Sequence, residues 1–182
     1  ATFNSEPLSD FIDVFVIGEG ETTIQHLMDK YIEGIDNGLS RDEILFLFTK
    51  IEGIYVPKFY QHEFDADNRL CITHQEGVPD RVKRQWVENL DDFDAKTVIF
   101  TEKTEFGSLC LLEIARGCGR HCRFCMAGYC FRKPRVRSLT RLKADLEEIK
   151  KVGKKVGLMG AAISDYPEVD VLCKDILGLD MS

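Results

Sequence analysis

No run of apolar residues in this 182-residue chain approaches the roughly 18 that a membrane-crossing helix requires, so a membrane span is not expected. The opening Ala-Thr-Phe-Asn-Ser has neither the basic nor the apolar region of an export signal, which points to the cytoplasm. No initiating Met is present, and the chain reads as a mature, cut or partial product. Basic residues are in the minority, 24 against 31 acidic, for a net charge of −7, which argues against a protein that coats nucleic acid. An even cysteine count is lacking too: there are seven, and without an export signal that argues against a disulfide framework. Internal repeats and low-complexity tracts are absent. What remains is 44% hydrophobic and 30% charged, the balance of a soluble globular chain of one domain or one and a half.

Neither charge nor cysteine is spread evenly. Between Arg116 and Arg137 stand Arg116, Arg120, Arg123, Arg132, Lys133, Arg135 and Arg137, with no acidic residue among them. Cys118, Cys122, Cys125 and Cys130 lie in the same stretch, whereas Cys71, Cys110 and Cys173 sit in or beside apolar segments and read as core. The basic run Arg132 to Arg137 reads first as a solvated face, and otherwise as an aid to ordering the loop or a site for an anion or RNA.

Hydrophobic spacing predicts the elements. Phe11 to Ile17 reads as a buried strand, and Gly18-Glu19-Gly20 as a turn rather than a nucleotide loop, because the dinucleotide fingerprint is incomplete. Ile24, Leu27, Met28, Tyr31, Ile32 and Ile35 recur every three or four residues, predicting a helix from about Glu21 to Ile35. Ser40 and Glu43 form a capping box opening a second helix to about Lys50. Short strands are expected at 54–56, 70–73 and 97–100, with a turn at 65–68. Leu109 to Ala115 is apolar on both faces, as in a parallel sheet. Ser138 caps a helix to Val152 that Gly153 stops, Val156 to Ala162 reads as a second buried strand, and Glu168 to Leu177 as a further helix. The order βαβα predicts the start of a parallel α/β fold.

The chemical signal is Arg116-Gly-Cys118-Gly-Arg-His-Cys122-Arg-Phe-Cys125, three thiols spaced Cys-x3-Cys-x2-Cys. A loop of this spacing can turn around one metal centre, with Gly117 and Gly119 permitting the tight backbone. Soft thiolates select iron–sulfur clusters, zinc or copper(I), and neighbouring arginines favour the thiolate. Structural zinc with Cys130 or His121 as fourth ligand is one alternative, and a redox pair from Cys122 and Cys125 is another.

The spacing, the aromatic Phe124 before the last cysteine, and the place after the first strand of a βα series resemble the radical S-adenosylmethionine (SAM) superfamily. That resemblance implies that Cys118, Cys122 and Cys125 hold a 4Fe–4S cluster whose open iron chelates S-adenosylmethionine. It implies reductive cleavage of the sulfonium to start radical chemistry, with Phe124 packing near the adenine. Leu111 to Cys118, Cys125 to Tyr129, Arg132 to Arg135 and Gly160 to Pro167 are similar to one subgroup, whose members carry a cobalamin-binding domain ahead of the radical barrel. Asn4 to Leu8 and Phe11 to Glu21 resemble the last strand and closing turn of such a domain.

The implied fold class is α/β: the tail of a Rossmann-like cobalamin-type domain (1–38), a connector or small subdomain (39–108), and the first βα units of an incomplete radical SAM barrel (109–182). Implied cofactors are the 4Fe–4S cluster, S-adenosylmethionine and, through an upstream domain, cobalamin. The implied partners are an electron donor such as flavodoxin or ferredoxin and a substrate of unknown identity, and methylation is one outcome the subgroup suggests. Three departures stand out. The cobalamin motif Asp-x-His-x-x-Gly is absent. The Gly-Gly-Glu that cradles the methionine amine in many members reads Gly160-Ala161-Ala162, so Gly160 and Ala161 carry over as backbone contacts only. Leu109 to Ser182 supplies about two βα units, where a complete barrel takes roughly 250 residues. A non-catalytic zinc or iron–sulfur module and an RNA-associated protein are the competing readings.

Overall fold

The computed structural model describes residues 3–180, so the outermost positions of the expected first and third segments, 1–2 and 181–182, lie outside the described residues. The chain divides into two compact units, one up to Val87 and one from Glu88 onward. Among the described residues no helix is long and apolar enough to cross a membrane.

The first unit contains β1 (Phe15–Val16), α1 (Thr23–Asp36), α2 (Arg41–Phe48), β2 (Ile54–Tyr55), β3 (Tyr60–Phe64) and β4 (Leu70–His74). Ser40 opens α2 through the expected capping box: its side chain accepts from the Glu43 amide, and the Glu43 carboxylate accepts from the Ser40 amide at 2.8 Å. Ile44, Leu45 and Phe48 on α2 pack with Ile54, Val56, Phe59 and Val78 as the core. Helix α1 forms where the spacing predicts, yet Ile24, Met28, Tyr31, Ile32 and Ile35 remain about half exposed. Its close contact with α2 runs through Gly34 instead, where a Cβ would stand 2.6 Å from Ile44.

The strand expected over 11–17 shrinks to two residues, because the amides of Phe11 and Ile12 turn back to the Leu8 carbonyl. Strand β1 pairs antiparallel with β2, Phe15 opposite Tyr55, whereas the expected Rossmann-like tail carries parallel strands. Gly18 is a structural turn: its φ is +114°, and a Cβ would collide with the Gln85 backbone. Strand β3 was not expected. It pairs with β4 around the predicted turn at 65–68, and both strands are largely exposed, which leaves no apolar alternation to read. Exposure of β4 also places Cys71 at the surface rather than in the core.

The second unit contains β5 (Leu109–Glu113), β6 (Ala115–Arg116), α3 (Ala127–Cys130), β7 (Arg135–Val136), α4 (Leu139–Val152), β8 (Lys155–Met159) and α5 (Val169–Gly178). Strands β5 and β8 are parallel, Leu109 opposite Lys155 through Glu113 opposite Met159, with α4 as their crossover. This is the βαβ arrangement that the two-sided apolar runs predict. Ser138 caps α4 by accepting from the Arg141 amide, and Gly153 ends it at φ +70°. Leu112, Ile114, Leu142, Leu146, Ile149, Leu172 and Ile176 lie at the centre of the core, with Cys110 and Tyr166. Leu172 and Ile176 turn inward from α5, leaving Cys173 exposed rather than in the core.

The other edge of β5 is met by residues 95–97 rather than 97–100. Lys96 bridges antiparallel to Leu112, and the Thr97 amide donates to the Leu111 carbonyl at 2.9 Å. The chain then leaves the sheet, and Val98 and Ile99 are exposed. The strand expected over 109–115 breaks after Glu113, because Ala115 and Arg116 pair antiparallel with Val136 and Arg135 instead of continuing along β8.

Candidate functional site

The β6–β7 pairing makes a stem, and the chain between them, residues 117–134, is the cysteine loop. The Cys118 amide extends the stem by donating to the Phe131 carbonyl at 3.1 Å. Gly117 has φ +84°, and a Cβ there would lie 2.5 Å from the Phe131 carbonyl oxygen, so only glycine lets the two sides of the stem approach. The loop therefore begins at the carboxyl end of β5, beside the carboxyl end of β8. In an open α/β sheet this is the end where ligands bind.

The three thiols differ in setting. Cys118 is buried, Cys125 is half-buried and Cys122 is exposed; all are free of disulfides. The Arg120 amide donates to the Cys118 sulfur at 3.4 Å, and the Cys125 amide donates to the Cys122 carbonyl at 3.1 Å, closing a tight turn. Among the described residues no three Cys, His, Asp or Glu side chains gather as a ready metal site. The donor set itself fits a thiolate-ligated cluster by its chemistry: three free thiols on one short loop, with an amide already aimed at one sulfur. Phe124 is 94% exposed. Gly160 and Ala161 follow β8 directly and are exposed. A Cβ on Gly160 would come within 3.3 Å of the Ala115 carbonyl oxygen, which brings this turn against the stem of the cysteine loop.

Two carboxylates at this end of the sheet hold the arginines that bracket Cys118. Glu113, the last residue of β5, takes Arg116 in two 3.0 Å contacts. Asp165 accepts from Arg120 Nε at 2.9 Å and from its Nη2. The hydrogen bond from Arg120 holds the Asp165 carboxyl below its ordinary value. Asp165 does not cap α5, whose cap position is held by Glu168. The basic run is not uniformly a solvated face either. Arg132 contacts the exposed His121, whose ring meets Tyr129 edge-on at 5.5 Å. Arg137 is 1% exposed and donates to the carbonyls of Leu90 and Phe93.

Gly128 lies in the stretch Cys125 to Tyr129 that carries the subgroup resemblance, but nothing local in the sequence marks the packing it serves. It is buried in α3, and a Cβ would overlap the Arg120 carbonyl oxygen at 1.6 Å. Gly128→Ala is expected to push the loop off α3, costing about 1–3 kcal/mol in urea unfolding as other overpacked sites do. An unchanged midpoint would show that the loop does not rest on α3.

The second unit is thus a βαβ arrangement that carries a three-thiol loop at the carboxyl end of its first strand. Residues 1–57 match the family model described as radical SAM proteins, N-terminal. The matched stretch includes the residues that resemble a cobalamin-domain tail. An uncharacterized protein of Methanocaldococcus jannaschii is 32% identical over 185 residues, covering 98% of this chain. The chain spans 34% of the length of that relative. No solved structure matches it.

Proposed function

We propose that the chain is the part of a radical SAM enzyme that holds the 4Fe–4S cluster, through Cys118, Cys122 and Cys125, and the near side of the S-adenosylmethionine site. The observation that carries the reading is the placement of a three-thiol loop and Gly160 at one end of a parallel βαβ sheet, in a chain whose residues 1–57 are similar to the radical SAM N-terminal model. When bound, the cluster would supply the electron for reductive cleavage of S-adenosylmethionine. Three protein ligands rather than four leave a coordination position for that cofactor. The backbone of Gly160 and Ala161 would line its methionine end, and Phe124, free on the exposed loop, would pack on the adenine. Arg116 and Arg120, held by Glu113 and Asp165, would offset the negative charge of a thiolate-ligated cluster. Later βα units of a partial barrel would complete the pocket, fed by a reductant such as flavodoxin or ferredoxin.

Cobalamin is no part of the proposal. Its support is the subgroup resemblance alone, and the part of it at residues 4–8 and 11–21 falls inside the match to the radical SAM N-terminal model. A methyl transfer would likewise rest on the subgroup resemblance alone. The test is product analysis on a longer protein that contains this chain. Reduced under anaerobic conditions with S-adenosylmethionine, it is expected to release 5′-deoxyadenosine and methionine. A loaded cluster with neither product would overturn the enzymatic reading, and bound zinc in place of iron would replace it with a structural module.

A further inference from the structure

The Arg120–Asp165 pair joins residues 45 positions apart and ties the thiol loop to the turn after β8. The two ends differ in rigidity. Asp165 ends a 3-10 turn (Ile163–Asp165), and the next residue, Tyr166, is buried with its hydroxyl donating to the Arg137 carbonyl at 3.0 Å. The acid is thus mounted on the core. On the other side, Gly119 to Phe124 are all exposed, so the loop has few apolar contacts to hold it. The planar guanidinium meets the carboxylate through two nitrogens, which fixes orientation as well as distance. The same residue's amide is the donor on the Cys118 sulfur.

We propose that Asp165 is a positioning residue for the cysteine loop: by clamping Arg120 it keeps the Arg120 amide on the Cys118 sulfur and keeps Cys118 buried at the end of β5. The latch is a property of the metal-free chain. Its consequence, slower loss of the cluster, rests on the function proposed above. Both side chains are about half exposed, so the pair should add little to global stability. The effect should be confined to the loop, which separates a latch from a merely structural contact.

The test uses the 182-residue chain without metal and measures alkylation of Cys118 by iodoacetamide, resolved by peptide mass. Core Cys110 is the internal control for global unfolding. Asp165→Ala and Arg120→Ala should each raise the Cys118 rate several-fold, leave Cys110 unchanged, and together do no more than either alone. Asp165→Glu should restore much of the protection. High salt should speed the wild type but not Asp165→Ala. An Asp165→Ala rate equal to wild type overturns the latch, and so does a parallel rise at Cys110. After iron–sulfide reconstitution, Asp165→Ala should bleach several-fold faster under a chelator. Equal bleaching overturns the link to the cluster. A wild type that takes up no iron counts against the proposed function, and the metal-free measurement still decides the latch.

Discussion

Reconstituted anaerobically with iron and sulfide, the chain is expected to develop broad absorbance near about 400 nm, and Cys118→Ser, Cys122→Ser or Cys125→Ser should each abolish it. The effect should be all or none because the remaining thiols cannot substitute. Cys110 is sealed in the core of the second unit, where burial pushes its thiol pKa up and disfavours the thiolate a metal needs. Cys173 lies on α5, and Cys71 belongs to the other unit. Cys130 sits at the end of α3 with its amide bonded to the Met126 carbonyl, half-buried. Cys130→Ser and Cys173→Ser should therefore keep the band. Wild-type iron content in Cys118→Ser, or zinc without absorbance in the wild type, would count against the assignment.

Arg137→Met should destabilise the second unit by about 3 kcal/mol, read as a fall in the urea midpoint, because it takes the guanidinium donor from the part-buried Phe93 carbonyl and leaves the Leu90 carbonyl with only its 3.3 Å bond from the Phe93 amide. Nη1 of Arg137 alone serves both the Leu90 and the Phe93 carbonyl oxygens. Neither has a substitute donor on a methionine side chain. Part of the loss is offset. Nε and Nη2 of Arg137 lack hydrogen-bond partners, burial holds the guanidinium pKa below its ordinary value, and Glu113 stands 3.9 Å from Nη2. Removing a cation so incompletely solvated returns some desolvation energy, which keeps the expected cost near the lower end for a broken buried charge. Arg137→Lys should retain part of the stability, since one nitrogen makes both bonds. A change under about 0.5 kcal/mol in Arg137→Met would show that the carbonyls find water or another donor.

Much of the fold was legible wherever the determinant was local. The capping box at Ser40, the cap at Ser138 and the left-handed Gly153 mark helix ends within a few residues of themselves. The two-sided apolar character of Leu109 to Glu113 and Val156 to Leu158 foretold a parallel pair, because strands covered on both faces leave no polar alternation. Strand β3 escaped because neither of its faces is buried. The apolar stripe of α1 forecast the helix but not its environment, since periodicity reports which residues share a face and not what covers it. At the site, the cysteine spacing was legible because three thiols within eight residues form a local pattern. The partners of the arginines were not, because Glu113, Asp165 and the Leu90 carbonyl approach from other turns of the chain.

By itself the sequence, without long apolar runs and with four of its seven cysteines gathered in one basic segment, determined what the site has to offer: three thiols, soft donors if deprotonated, on a short glycine-bearing loop after a buried strand. Composition and spacing suffice for that, because metal preference follows from donor type and loop closure from chain length. Only the tertiary structure decided where the charges of that segment go. Arg116 and Arg120 turn to carboxylates at the ends of β5 and beyond β8, while Arg137 turns into the core. A run of like charges carries no record of its partners; those are set by which strand ends the fold brings together.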